Sequence, residues 1–169
     1  MRSSLVAAPA YAVLYLVGTA TAIAQDATAV ARLPRDGTTT YVTYYTSHVL
    51  AKQALSANDK GAVLEVLGVT RNTDGKPYFD NMSVRCIGYA QTVGGKFGGQ
   101  GNCVETDPDG DKVFTTFDYV SATHNITGGT GKYEGISGSV PFTRRILQPP
   151  GPDEIAALVD HKVTWHLAK

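Results

Sequence analysis

The chain has no surplus of charge: fifteen Lys+Arg stand against fifteen Asp+Glu, and the basic residues form no cluster. A nucleic-acid partner calls for a basic patch or stripe, so that class is excluded. Cysteine is scarce, and Cys86 and Cys103 are too far apart to form a C-x-x-C pair. H-E-x-x-H and G-x-S-x-G are missing as well. Zinc sites built on such spacings and serine-hydrolase chemistry fall away together, and no cofactor is called for. Long helical periodicity is hardly present. What is abundant is glycine and tyrosine, eighteen and nine residues, with many threonines. That composition suits pleated strands joined by tight turns, and predicts a single all-β domain.

The N-terminus stands apart. Arg2 supplies a small positive region, Leu5–Val17 an apolar run, and Ala22-Ile23-Ala24 an A-x-A cleavage site before Gln25. The run falls short of the roughly 20 residues of a membrane span. Residues 1–24 therefore read as a signal peptide, which makes the product exported, periplasmic or extracellular, with no membrane span after cleavage. Residues 25–37 read as an irregular lead-in and 38–169 as the folded domain. An oxidising compartment favours pairing of the two cysteines. The turn signal Gly94-Gly95 lies midway between them, so folding about it sets Cys86 opposite Cys103 on neighbouring strands. Closing that loop adds about 3 kcal/mol in the chain-entropy model.

Eight strands follow from alternation and turn chemistry: one from Thr38 to His48, others near 62–70, 78–92, 101–106, 112–120, 122–127 and 132–145, and a last one within 158–167. Val49–Asn58 is expected to form a short helical turn. Gln148-Pro149-Pro150-Gly151-Pro152 cannot enter a central strand, because three prolines lack the donor N–H. Antiparallel strands of this number close naturally into a barrel that leaves no exposed edge; a two-sheet sandwich is the alternative. Gly128-Gly129-Thr130-Gly131-Lys132 imitates a phosphate loop. The pattern would need glycine where Ile126 stands and Ser or Thr where Tyr133 stands, so nucleotide binding is rejected.

The run Ile126-Thr127-Gly128-Gly129-Thr130-Gly131-Lys132-Tyr133-Glu134-Gly135, preceded by an Asp-Gly-Asp turn and a strand, resembles the allene oxide cyclase family. It also looks like the Gly-Thr-Gly-Lys segment of dirigent proteins, which share that barrel. The likeness covers Asp107 to about Phe142, and Asn81–Cys86 resembles a bacterial exported branch of unknown function. It implies an eight-stranded antiparallel barrel with a hydrophobic interior, often a homotrimer. No active-site residue of those families carries over to a position in this chain.

Pairing Cys86 with Cys103 and Thr106 with Lys112 sorts the faces. Met82, Val84, Cys103, Glu105, Val113, Phe117 and Tyr119 share the more apolar one, assigned to the lumen. Glu105 is its exception. Among apolar groups its charged form is disfavoured, which suits a general acid or base; at the barrel rim it would be an ordinary hydrated acid. On the last strand Val159, His161, Val163, Trp165 and Leu167 form an apolar stripe holding one histidine. His161 is either a neutral core residue or the proton-transfer partner of Glu105. Asp107, Asp109 and Asp111 place oxygens at alternate positions, as calcium loops do, but the distal bidentate Glu of an EF-hand is missing, so the stretch reads as an acidic hairpin turn rather than a metal site.

Three functions remain. The first is a barrel holding a small apolar or aromatic molecule against Phe117, Tyr119 and Trp165, with Glu105 or His161 orienting its polar group. The second is a cofactor-free cyclase or isomerase using the same lumen, with Glu105 and His161 catalytic. The third is a fully packed structural barrel with no ligand.

Overall fold

The computed structural model describes residues 32–168, so the signal-peptide expectation lies outside them. Eight antiparallel strands run in chain order, β1 (Asp36–Ala54), β2 (Lys60–Asn72), β3 (Ser83–Val93), β4 (Lys96–Thr106), β5 (Lys112–Asp118), β6 (Thr123–Gly129), β7 (Ile136–Leu147) and β8 (Glu154–Leu167). Each pairs with its neighbour in sequence, and β8 returns to β1 from Asp36↔His166 to His48↔Glu154. The sheet is thus a closed barrel, as expected, and no edge strand is left unpaired. Cys86↔Cys103 and Thr106↔Lys112 are the observed registers, and the two cysteines are disulfide-bonded.

Two stretches depart from the sequence reading. Val49–Ala54 is strand rather than helical turn, paired with β2 across a bulge between Val49 and Ala51. Its Ala-Lys-Gln-Ala composition suits a helix, but the ladder to Gly61–Leu64 satisfies its backbone groups and overrides that preference. Tyr78–Met82 is loop rather than the start of β3. Asn72 organises that loop, donating from Nδ2 to the Tyr78 carbonyl at 2.8 Å and accepting from the Asp74 and Lys76 amides. Phe79 (φ 53°) and Asn81 (φ 52°) take left-handed conformations that interrupt any ladder. The compensation is burial of the Phe79 ring, 1% exposed.

The two ends of the barrel differ because hairpin turns alternate between them. The turn between β2 and β3, that between β4 and β5 and that between β6 and β7 lie at one end, which is closed. There Phe79 packs against Tyr41, Tyr133 and Trp165, and Leu33 and Met82 belong to the same buried cluster. The Trp165 indole donates to the Pro34 carbonyl at 2.9 Å, pinning the lead-in beneath the barrel. Turns 55–59, 94–95, 119–122 and 148–153 mark the opposite end, which is a mouth. A smaller cluster of Leu64, Val66, Val84, Phe117 and the disulfide lines the barrel on that side.

Candidate functional site

Below the mouth lies a narrow cavity open to solvent, walled by Leu64, Val66, Phe117, Tyr119, Phe142 and the disulfide's Cys86. Strand pleating sets its inner surface, since every second residue of each strand points inward. Glycine sets its shape. Gly88 and Gly101 are paired, and a Cβ on either would fall within 2.6 Å of the Phe117 ring. The ring therefore lies flat on backbone. A Cβ at Gly68 would likewise meet the Tyr45 ring at 2.6 Å. Larger residues at these positions would push both rings into the cavity.

Polar groups enter this apolar space at defined depths. At the rim, the Arg144 guanidinium covers Tyr119 at 4.7 Å and Phe97 at 5.3 Å. Inside, His124 and Tyr45 both line the cavity. The His124 ring lies 5.8 Å from Phe117 and 5.1 Å from Phe142, and its Nδ1 is 3.4 Å from the Thr115 hydroxyl. Burial lowers the His124 pKa to about 4, so the ring is neutral at physiological pH.

Glu105 and His161 lie one layer deeper, behind the cavity lining. His161 stacks on Tyr41 at 4.6 Å and meets His124 edge-on at 5.4 Å. Burial, and then the neighbouring His124, hold its pKa well below the ordinary range. Neither of its ring nitrogens has a hydrogen-bond partner. Glu105, 2% exposed, projects from β4 into the lumen rather than at a hydrated rim, and its Oε2 has no partner either. Burial raises its pKa to about 7. Its charge in turn raises the pKa of Tyr41 and Tyr45, after the larger effect of their own burial. Thr43, on β1 between those two tyrosines, keeps a fully buried and unpartnered hydroxyl. The barrel thus carries a layer of buried, under-satisfied polar groups beneath an apolar pocket.

The remaining expectations divide. Phe117 and Tyr119 line the cavity, whereas Trp165 belongs to the closed-end core. Asp107, Asp109 and Asp111 form a clip around a cation of the chain itself. Lys132 Nζ lies 2.7 Å from Asp107 Oδ2 and 2.6 Å from Asp109 Oδ2, while the Lys132 amide donates to Asp111 at 3.0 Å. Asp107 Oδ1 also accepts the Asp109 and Asp111 amides. Among the described residues no group of three or more His, Cys, Asp or Glu is placed to hold a metal. Gly131–Tyr133 is a single 3-10 turn followed by β7, with no helix to receive a phosphate.

Sequence reasoning missed His124, Tyr45, Phe142 and Arg144. A signal existed for the first: His124 and Ile126 alternate inward on β6, and His124 pairs with Phe117. Arg144 is exposed toward the end of β7, and only the barrel's closure brings it over Phe97 of β4 and Tyr119 just after β5.

No protein-family model and no curated protein sequence matches the chain. Among solved structures it is similar to the pterocarpan synthase dirigent protein GePTS1, at 11% identity and a TM-score of 0.50, over 81% of this chain and 90% of that one. The pterocarpan synthase dirigent protein PsPTS1 gives 12% identity and a TM-score of 0.47, over 81% and 99%. The chain has the eight-stranded barrel fold of dirigent proteins.

Proposed function

We propose that this chain is an exported barrel that holds one small apolar or aromatic molecule in its lumen. The observation that carries the reading is the mouth-side cavity, open to solvent and walled by Phe117, Tyr119 and Phe142 on a glycine floor. Few convergent polar groups in a concave aromatic site are the usual makings of small-ligand binding. His124 and the Tyr45 hydroxyl orient the ligand's polar group, and Arg144 covers the entrance. Export rests on the Leu5–Val17 run with its A-x-A site and suits the disulfide. The homotrimer implied by the family resemblance would give cover to the exposed apolar wall of Tyr44, Val69 and Ile87.

Native mass spectrometry of the protein purified without added ligand tests this reading, together with titration by an apolar fluorescent dye. One retained organic molecule per chain, or saturable dye binding abolished by the cavity-filling Ala157→Phe, is the expected result. A bare chain whose weak dye uptake is unchanged by Ala157→Phe would favour a packed structural barrel.

A cofactor-free cyclase or isomerase is the second reading, favoured by one observation. Glu105 is a buried carboxyl with a pKa of about 7, poised between acid and base at neutral pH. Here Glu105 and His161 would act on a substrate that displaces or passes the His124 side of the pocket. Glu105→Gln and His161→Ala would then abolish turnover of a bound substrate while leaving its affinity within a few fold.

A further inference from the structure

Exposed apolar side chains are distributed unevenly between the two ends of the barrel. Among the described residues, none of the large exposed hydrophobics lies on the three turns of the closed end. At the mouth every hairpin carries them. Leu55 (45% exposed) sits on the turn between β1 and β2, Val93 and Phe97 (46% and 49%) flank the next, and Val120 (77%) occupies the third. Ile146 and Leu147 (60% and 43%) lead into the fourth. These side chains stand on four hairpin tips around one opening.

Two further observations say what does cover them. Two cations at the mouth, Lys60 and Lys96, make no carboxylate ion pair among the described residues, nor do the acids Asp59 and Asp118, while Arg144 lies over Tyr119 and Phe97. The cavity also continues outward into an apolar trough over Val49, Ala62 and Ala90, sharing Leu64, Ala90, Phe97 and Ile155 with it. Apolar tips with interspersed free cations are the makings of an interfacial membrane contact, in which side chains enter the headgroup and upper acyl region while lysines meet anionic lipid. A trough leading from those tips into the lumen gives an apolar molecule a path from bilayer to pocket that does not cross water.

We infer that the mouth is a lipid-docking rim, which seats the barrel mouth-down on an anionic membrane surface. The inference rests on the rim and not on the identity of any lumen ligand, so either can fail without the other. Co-sedimentation with vesicles of equal parts phosphatidylglycerol and phosphatidylcholine tests it, against vesicles of phosphatidylcholine alone. The wild-type chain should sediment with the anionic vesicles. The double variant L55D/V120D, at two exposed tips where folding is not at stake, should lose at least about tenfold in partitioning. Lys60→Ala and Lys96→Ala should each cost about fivefold. Val104→Asp, exposed on the barrel wall away from the mouth, should bind as wild type. Absence of sedimentation with either vesicle, or equal loss in V104D and L55D/V120D, would overturn the proposal.

Discussion

The closed end and the mouth are built from the same eight strands, yet one is packed solid and the other is hollow. At the closed end, Phe79, Tyr133 and Trp165 reach the barrel axis from loops and strand ends, and each ring has aromatic neighbours within about 6 Å. At the mouth the rings of Phe117 and Tyr45 lie back against glycine instead. An eight-stranded barrel has just enough interior to be filled by side chains or to hold one small ligand. Whether the rings point across the lumen or along its wall decides which, and glycine makes the second option available. Packing is thereby concentrated at one end and open lumen at the other.

Truncation of the plug should break this division most severely. Phe79→Ala removes a fully buried ring and should cost about 4 kcal/mol, read from urea unfolding, whereas a small loss would mean that the closed end is not the stabilising one. Between the two ends, Glu105 makes stability depend on pH. Its folded pKa of about 7 lies above the ordinary 4.5, so the stability it contributes is complete below about pH 4.5 and is lost as pH rises through 7. The shift corresponds to about 3 kcal/mol. His124 works the other way: its folded pKa of about 4 lies below 6.5, so its contribution is complete above 6.5 and is lost as pH falls through 4. The two opposed slopes largely offset each other between about pH 4.5 and 6.5, so the wild type should lose stability only toward the two ends of this range. Glu105→Gln should remove the alkaline decline and leave the acid one; a decline that persists in the variant would assign it to another group.

Smaller effects sharpen the contrast. Lys132→Met leaves Asp107 buried without its cation. Because Lys132 is itself partly exposed, a loss of about 1–2 kcal/mol is expected, between the surface and buried limits for ion pairs. Differential scanning calorimetry would register it as a fall in Tm, and an unchanged Tm would remove the clip from the account of the closed end. Phe97→Ala at the rim should change stability by under about 0.5 kcal/mol yet weaken dye binding, since the ring packs at a tilt against Tyr119 at 5.4 Å and underlies Arg144. Lost stability with unchanged dye affinity would reverse the roles of the two ends.

The inner face of β3, β4 and β5 was legible in the sequence because two turns, Gly94-Gly95 and Asp107–Asp111, fix both registers locally. Glu105, Phe117 and Tyr119 consequently fall on the side expected. Trp165 was assigned to the right face as well, but alternation cannot say how far along the barrel axis an inward residue lies, or whether it meets a cavity or a plug. His124 escaped for the complementary reason. A lone histidine in a short polar-looking strand carries no spacing signal, and its role depends on Phe117, Phe142 and His161 arriving from three other strands. The Asp107–Asp111 turn reads in sequence as an acidic hairpin turn, but its occupant Lys132 could not be read there, because that partner is remote in sequence.

Period-two alternation, turn chemistry and paired cysteines are local properties, and for that reason the amino-acid sequence by itself determined an all-β chain of eight strands, the Cys86–Cys103 bond and the inward face of its central hairpins. The tertiary structure alone decided which end is closed, that Phe79 forms the plug, that Lys132 fills the acidic clip and that Arg144 and His124 guard an open pocket. Each of those outcomes depends on side chains brought together by closure of the barrel, and no short stretch of sequence contains both partners.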